Sequence, residues 1–259
     1  MIYATDLDRT LIFSEKFLED YPNKNVVPVE FKGDRVISYM STRVIEALKR
    51  MKNNNDKIKF VAVTTRSITE VNRINLPIKP DYIICANGGV ILGNDKISKE
   101  FEYINKKLVD SNLLENIVTE LNKLECITSP ARIIDGTYVF CKTNDQAKFR
   151  NATWSLREKY KADLEFTEQR MKCYIIPKGI TKASTLDWLK RKTNEDFVLA
   201  VGDSELDIPM LKYADYGFTQ KHGEIYKQGI LPDGVSIIPG GCTSPLYTIS
   251  LANKMCKSV

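Results

Sequence analysis

Histidine is nearly missing from this sequence: His222 is the only one in 259 residues. With no H-E-x-x-H pair and no G-x-x-x-x-G-K-[ST] loop, neither a zinc protease nor a P-loop nucleotide hydrolase fits. Long apolar runs are lacking too. Nothing approaches the ~20 residues of a spanning helix, and no basic stretch leads into an apolar signal segment, so a cytoplasmic protein without a membrane partner is expected. The six cysteines (Cys85, Cys126, Cys141, Cys173, Cys242 and Cys256) form no C-x-x-C pair. Scattered as they are, several inside apolar runs, they predict reduced structural thiols. No segment concentrates Lys and Arg with interleaved aromatics, and the net charge of +5 is mild. A nucleic-acid partner is therefore not expected, although a basic chain favours anionic small molecules. Internal repeats and low-complexity segments are absent as well.

What remains is a chain with 43% hydrophobic residues, enough for one large domain or a main domain with a smaller one attached. Short apolar runs at Ile2 to Thr5, Ile58 to Thr64, Tyr82 to Cys85 and Phe197 to Val201 read as strands buried on both faces. Helical patterns separate several of them, among them Thr42 to Lys52 and Lys182 to Lys192. This alternation predicts an α/β fold on a Rossmann-like parallel sheet. Later runs, "YGFTQ" and "GVSIIP", predict short edge strands.

The pattern changes between about Gly88 and Lys178. "ARIIDGTYVFCK" reads as a hairpin around Asp135-Gly136 and "LEFTEQRMKCYIIP" as a second one, with helices near Asn105 to Leu124 and Asp145 to Tyr160. An inserted α+β module is expected, with residues 1–87 and 175–259 forming a discontinuous core and 88–174 the insertion. Asn25 to Ser41 is a third feature. Its two extended runs around Lys32-Gly33-Asp34 read as a flap hairpin or, alternatively, as a long surface loop.

Four places carry polar groups where core strands or helices begin or end. Asp6 and Asp8 follow the first strand, and Thr64, Thr65 and Arg66 follow the next. Lys182 opens a helix, and Asp203 and Asp207 lie just after a late apolar strand. Each has an ordinary structural use alone, as a helix cap, a turn residue or a solvated charge. Ligands of open α/β sheets bind beyond the carboxyl ends of the strands, so these groups should converge. Two acids one residue apart repel each other, and a metal ion would relieve that cost.

The motifs "DLDRT", "VTTR", "GITKASTL" and "GDSELD", with "CANGGVIL" leading into the inserted module, resemble those of haloacid dehalogenase superfamily phosphatases, specifically the Cof-like and sugar-phosphate phosphatase branch with an α/β cap. Two positions depart from the family pattern: Arg9 stands where relatives usually have Gly, and Leu206 where many have Asn. The resemblance implies an enzyme acting on a small phosphorylated metabolite through an aspartyl-phosphate, with Asp6 as nucleophile and Asp8 as general acid and base. Lys182 and Thr64 would assist the transfer. Thr65, Arg66 and Asn87 are the implied substrate contacts, with Arg132, Arg170 and Lys172 as further candidates from the insertion.

A hard cation bound by carboxylate oxygens suits Mg²⁺, which Asp6, Asp203 and the backbone carbonyl of Asp8 would hold while Asp207 acts through water or orients a neighbour. Asp8, beside another carboxylate and the incoming phosphate, is expected to have a raised proton affinity. A sugar phosphomutase and a non-catalytic metal-binding or signalling module are the competing readings. A metal-binding glycosyltransferase also uses paired Asp, without a need for Lys182 or "GDSELD". A monomer or homodimer is expected.

Overall fold

The computed structural model describes residues 1–54 and 56–256. Its first strand, β1 (Ile2–Asp6), is buried along its whole length, which explains the continuous apolar run before the first acid. An antiparallel hairpin follows, β2 (Val26–Lys32) and β3 (Arg35–Ser41), in which Gly33 adopts the left-handed φ of 60° that the tight turn requires. Next come β4 (Lys59–Val63), β5 (Tyr82–Cys85) and the short β6 (Val90–Leu92). Then β7 (Ile127–Ile134), β8 (Tyr138–Thr143), β9 (Leu164–Gln169) and β10 (Lys172–Pro177) form a separate four-stranded antiparallel sheet. The chain then returns as β11 (Val198–Val201), β12 (Tyr216–Gln220) and β13 (Val235–Ile238).

The main sheet has the order β13-β12-β11-β1-β4-β5-β6, parallel throughout except for β6. Alternation sorts its side chains between two layers. Tyr3, Phe60, Ala62, Leu199 and Val201 pack against Val44, Leu48, Met51 and Ile249 from the helices Thr42–Asn54 and Pro245–Met255. On the other face, Ile2, Ala4, Val61, Val63 and Ala200 meet Leu186 and Leu189 of the helix Lys182–Lys192. The architecture is a Rossmann-like core carrying an α+β unit. No described helix is long and apolar enough to cross a membrane, and all six cysteines are free, five of them buried.

Several boundaries differ from those expected. β12 lies between β11 and β13, so only β13 is an edge strand at that side. Residues 88–105 were expected in the insertion but complete the main sheet instead: β6 pairs with β5, and Phe101 of the helix Asp95–Asn105 packs in the core layer with Leu186. The helix expected over Asn105 to Leu124 is Ser111–Leu121, started by Asp110, whose carboxylate accepts from the Leu113 N–H at 3.0 Å. Likewise the stretch Asp145 to Tyr160 is two helices, Gln146–Ala152 and Trp154–Lys159, broken at Thr153.

Candidate active site

β1 lies at the centre of the main sheet, flanked by β11 on one side and β4 on the other, where the direction of strand succession reverses. The carboxyl ends of the first two deliver Asp6 and Asp203 to one crevice, and Thr64 lies buried at the end of the third. Lys182 arrives from beneath, in the first turn of its helix. Thr181 caps that helix, accepting from the Ser184 N–H at 3.0 Å while Ser184 Oγ accepts from the Thr181 N–H at 3.1 Å. The loop around Gly88 is pressed against this helix start: a Cβ on Gly88 would lie 2.3 Å from the Thr181 carbonyl oxygen, and its φ is 102°. The Asn-Gly pair before the insertion is thus a packing requirement of the helix that carries Lys182.

The Lys182 ammonium is 1% exposed and donates to Asp6 Oδ1 at 2.7 Å and to Asp207 Oδ1 at 2.5 Å. Asp207 Oδ2 accepts from the N–H groups of Asp203 and Ser204 at 3.1 and 2.9 Å and from Ser204 Oγ at 2.8 Å. Asp207 therefore orients both the lysine and the loop bearing Asp203. Gly202 is needed for this loop, because its Cβ would sit 2.5 Å from that of Asp207. Leu206, where a polar residue is usual, packs against the apolar cluster of Tyr138, Phe140 and Tyr174 on the second sheet.

Carboxylate oxygens of Asp6, Asp203 and Asp207 all lie within 4.8 Å of one another, and all three residues are buried. Burial is the main cause that raises the Asp6 carboxyl to about 7; Lys182 opposes it, and Asp207 and Asp8 add to it. Asp203 is pushed well above its ordinary value by burial, then by Asp6 and Asp207, with only Arg9 among its main neighbours opposing. For Lys182, burial works against the charge but the two aspartates outweigh it, so its pKa is raised. Lys182 leaves the cluster short of positive charge. A divalent cation with oxygen preference fits that donor set, with one oxygen each of Asp6 and Asp203 uncommitted and both oxygens of Asp207 already bonded.

Arg9 supplies some of the missing charge. It occupies the left-handed region, with φ of 61°, a conformation glycine would adopt without cost, and its Nε lies 3.2 Å from Asp203 Oδ2. His222 secures this turn. Its Nδ1 accepts from the Gly241 N–H at 2.9 Å, which leaves Nε2 to donate to the Arg9 carbonyl at 2.6 Å. Burial lowers the His222 pKa to about 4, so the ring is neutral.

Asp8 behaves differently from expectation. Arg66 donates to it through Nε at 2.7 Å and Nη2 at 2.6 Å, and through Nη1 to Glu30 at 2.6 Å. Enclosure would raise the Asp8 carboxyl, but these hydrogen bonds and the charges of Arg66, Lys172 and Lys182 prevail and hold it below the ordinary range. Arg66, expected at the substrate, is engaged instead by two acids. Glu30 is fully buried in the β2–β3 hairpin, where Ser38 Oγ donates to it at 2.7 Å and Arg73 lies 3.5 Å away. The flap hairpin thus reaches the site through one buried carboxylate.

Two cavities meet at Asp8. The smaller, about 110 Å³, is lined by Asp6, Asp8, Lys182 and Asp203 from the core and by Arg170 and Lys172 from the β9–β10 hairpin, whose tip bonds to Glu224 through Gln169 (2.7 Å) and Arg170 (3.1 Å). The larger, about 310 Å³, runs from Asp8 between the flap and the second sheet. Thr65 lines both, whereas Thr64 and Asn87 line neither. Thr64 is wholly buried and its Oγ1 accepts from the Arg66 N–H at 3.2 Å; Asn87 is buried with φ of 56°, and its backbone N–H donates to the Thr64 carbonyl. Sequence reasoning did not single out Glu30 or Glu224, and it marked Arg9 only as a departure from the family pattern. The only advance signal was the unusual Arg at a family glycine position.

The family model described as haloacid dehalogenase-like hydrolase matches residues 34–172 and 131–224. Phosphoglycolate phosphatase 2 of Saccharolobus solfataricus is 29% identical over 216 residues, covering 83% of this chain and 77% of that protein. Among solved structures, the sucrose-phosphatase of Synechocystis in complex with sucrose and phosphate superposes with a TM-score of 0.67 at 12% identity, covering 98% of each chain. A haloacid dehalogenase-like hydrolase from Bacteroides thetaiotaomicron gives 0.63 at 16% identity over 96% of this chain and 98% of that one. With its fold, its strand-end acids and this match in agreement, the chain belongs to the haloacid dehalogenase-like hydrolases.

Proposed function

We propose that the protein is a Mg²⁺-dependent phosphatase of a small phosphorylated metabolite. The observation that carries this reading is the convergence of Asp6, Asp8, Lys182 and Asp203 on one small cavity at the carboxyl ends of the central strands. In this scheme an Asp6 carboxylate oxygen attacks phosphorus, and the bond from phosphorus to the leaving oxygen breaks. Asp8 gives its proton to that oxygen, and the alcohol departs. Asp8 then takes a proton from water as the water's oxygen attacks the aspartyl-phosphate, which regenerates Asp6 and releases phosphate. Bound Mg²⁺ would supply positive charge to the attacking carboxylate and the transferring phosphoryl group.

Lys182 holds Asp6 in position and favours its ionised form against the strong cost of burial. Arg66 keeps Asp8 ionised in the free enzyme. Entry of a phosphate dianion next to Asp8 opposes that effect, so the acid form is taken up together with substrate. The names of the similar proteins, a phosphoglycolate phosphatase and a sucrose-phosphatase, support the reaction class.

Phosphate release from a panel of sugar, polyol and carboxylic-acid phosphates tests the reading. Release in Mg²⁺ that is lost in EDTA, and reduced by roughly 10⁴-fold or more in Asp6→Asn, is the expected result. Release that survives Asp6→Asn would sink it.

A further inference from the structure

The four-stranded sheet β7–β10 has two unlike faces. Val139, Cys141, Cys173 and Ile175 point away from the site into a closed core with Leu114, Ile117, Leu121 and Phe149. By the two-residue period of a strand, the alternate positions face the catalytic crevice: Arg132 on β7, Tyr138, Phe140 and Lys142 on β8, and Lys172 and Tyr174 on β10. These residues form one wall of the larger cavity.

Three cations on that wall form no salt bridge, although Lys172 acts on the Asp8 carboxylate through space and Glu70 lines the same cavity. Lys142 and Lys172 are direct cross-strand neighbours, a like-charge pairing that costs stability. Arg132 is paired in register with Phe140, and its guanidinium lies 4.9 Å from the ring centre. Among the described residues none of the three forms a salt bridge or a side-chain hydrogen bond. The contrast with the opposite wall is sharp: Arg66 and Arg73 line the same cavity, but Asp8 and Glu30 already engage them.

The position of this wall says what it meets. Asp8, Thr65 and Lys172 line both cavities, so a molecule whose phosphoryl group sits beside Asp6 passes Asp8 into the larger space. That space, about 310 Å³, equals roughly ten waters and has room for a leaving group the size of a sugar. A neutral alcohol would leave the three cations of this wall without a counter-charge on the ligand. A second anion would relieve the Lys142–Lys172 repulsion and accept from Arg132.

We infer that the substrate's leaving group carries a second anionic group, a carboxylate or a phosphate, held by Arg132, Lys142 and Lys172. This rests on the phosphatase reading for the reaction but not for the binding. Each partly screened ion pair is worth up to about fivefold, so two or three of them give an expected preference of roughly ten- to a hundredfold.

Two matched pairs test it. 3-Phosphoglycerate differs from glycerol 3-phosphate in carrying a carboxylate for a hydroxymethyl group, and glucose 1,6-bisphosphate differs from glucose 6-phosphate by the second phosphate. kcat/KM is measured for all four with the wild type, and calorimetric affinity with Asp6→Asn in Mg²⁺. The expected result is a preference of at least about tenfold for the anionic member of one pair. The pair that shows it identifies the anion. Arg132→Met combined with Lys142→Met, both exposed positions, should bring the ratio toward one. A ratio near one in both pairs, no binding of any compound, or a preference that survives the double substitution would each overturn the inference. Wall-dependent binding without phosphate release from any compound would leave the anion site standing and refute the phosphatase reading instead.

Discussion

The two walls of the crevice are built on opposite principles. On the core side, Asp6, Asp203, Asp207 and Lys182 are at most 5% exposed, and Asp6, Asp207 and Lys182 are tied by short hydrogen bonds. On the side of the second sheet, Arg132, Lys142 and Lys172 are exposed and form no salt bridge among the described residues. The core wall spends folding energy to crowd like charges that its own residues cannot fully neutralise. The opposite wall spends little, because exposed cations are hydrated. Positions that must hold one geometry are fixed by many bonds, whereas positions that select a leaving group can change without loss of the fold.

The sharpest way to break this comparison is Lys182→Met. It leaves Asp6 and Asp207 buried without their shared cation, and a loss of about 3 to 5 kcal/mol in unfolding free energy is expected, together with loss of turnover. Urea titration monitored by far-UV dichroism reads the first. A loss below about 1 kcal/mol would mean that the buried aspartates are not strongly coupled to the lysine.

Next in size is Asp8→Asn. Proton transfer contributes roughly 10²- to 10⁴-fold, so hydrolysis of sugar-alcohol phosphates should fall by that order while an aryl phosphate with a good leaving group falls much less. Equal losses on both substrates would remove Asp8 from the role of acid.

Glu30→Gln sharpens the boundary between the two walls, since Glu30 belongs to the flap and yet anchors Arg66, the partner of Asp8. A destabilisation of about 1 to 3 kcal/mol is expected, and about a tenfold fall in kcat for poor leaving groups. Unchanged stability and leaving-group dependence would reduce the flap to a cover.

A further prediction concerns His222. Its folded pKa, about 4, lies below the ordinary value of 6.5, so the unfolded chain binds the extra proton first as pH falls. The stability it contributes is complete above pH 6.5 and is lost progressively between 6.5 and 4. Thermal unfolding of wild type and His222→Gln across that window should show a shallower decline in the variant, and parallel curves would contradict the assignment.

How much of this could be read in advance depends on how local each feature is. Asp6, Asp8 and Asp203 were legible because a strand-terminal position is written in the few residues around it. β1, β4, β5 and β11 were equally plain as short apolar runs. β6 was not: three residues after Gly88-Gly89 are too few to show a period, and its antiparallel pairing depends on β5. Glu30 was invisible for another reason. In "VPVEFK" it reads as an outward strand position, and the arginines that neutralise it, Arg66 and Arg73, come more than thirty residues later. The pairing of Arg66 with Asp8 and Glu30 was hidden on the same ground, since a sequence displays charges but not which of them are already paired.

One pairing governs how the molecule is made. β1 finds β4 early, with Ile2 opposite Lys59, but its other neighbour is β11, with Ile2 opposite Val198. A ribosome adding ~5 to 20 residues per second takes roughly seven to thirty seconds to cover that interval. During it the central strand has one open edge, while the entire β7–β10 sheet emerges and has all its partners at hand. The catalytic crevice therefore cannot form until β11 and the acids that follow it have been made. Anything that binds the nascent chain in that interval acts on a strand that still has no second neighbour.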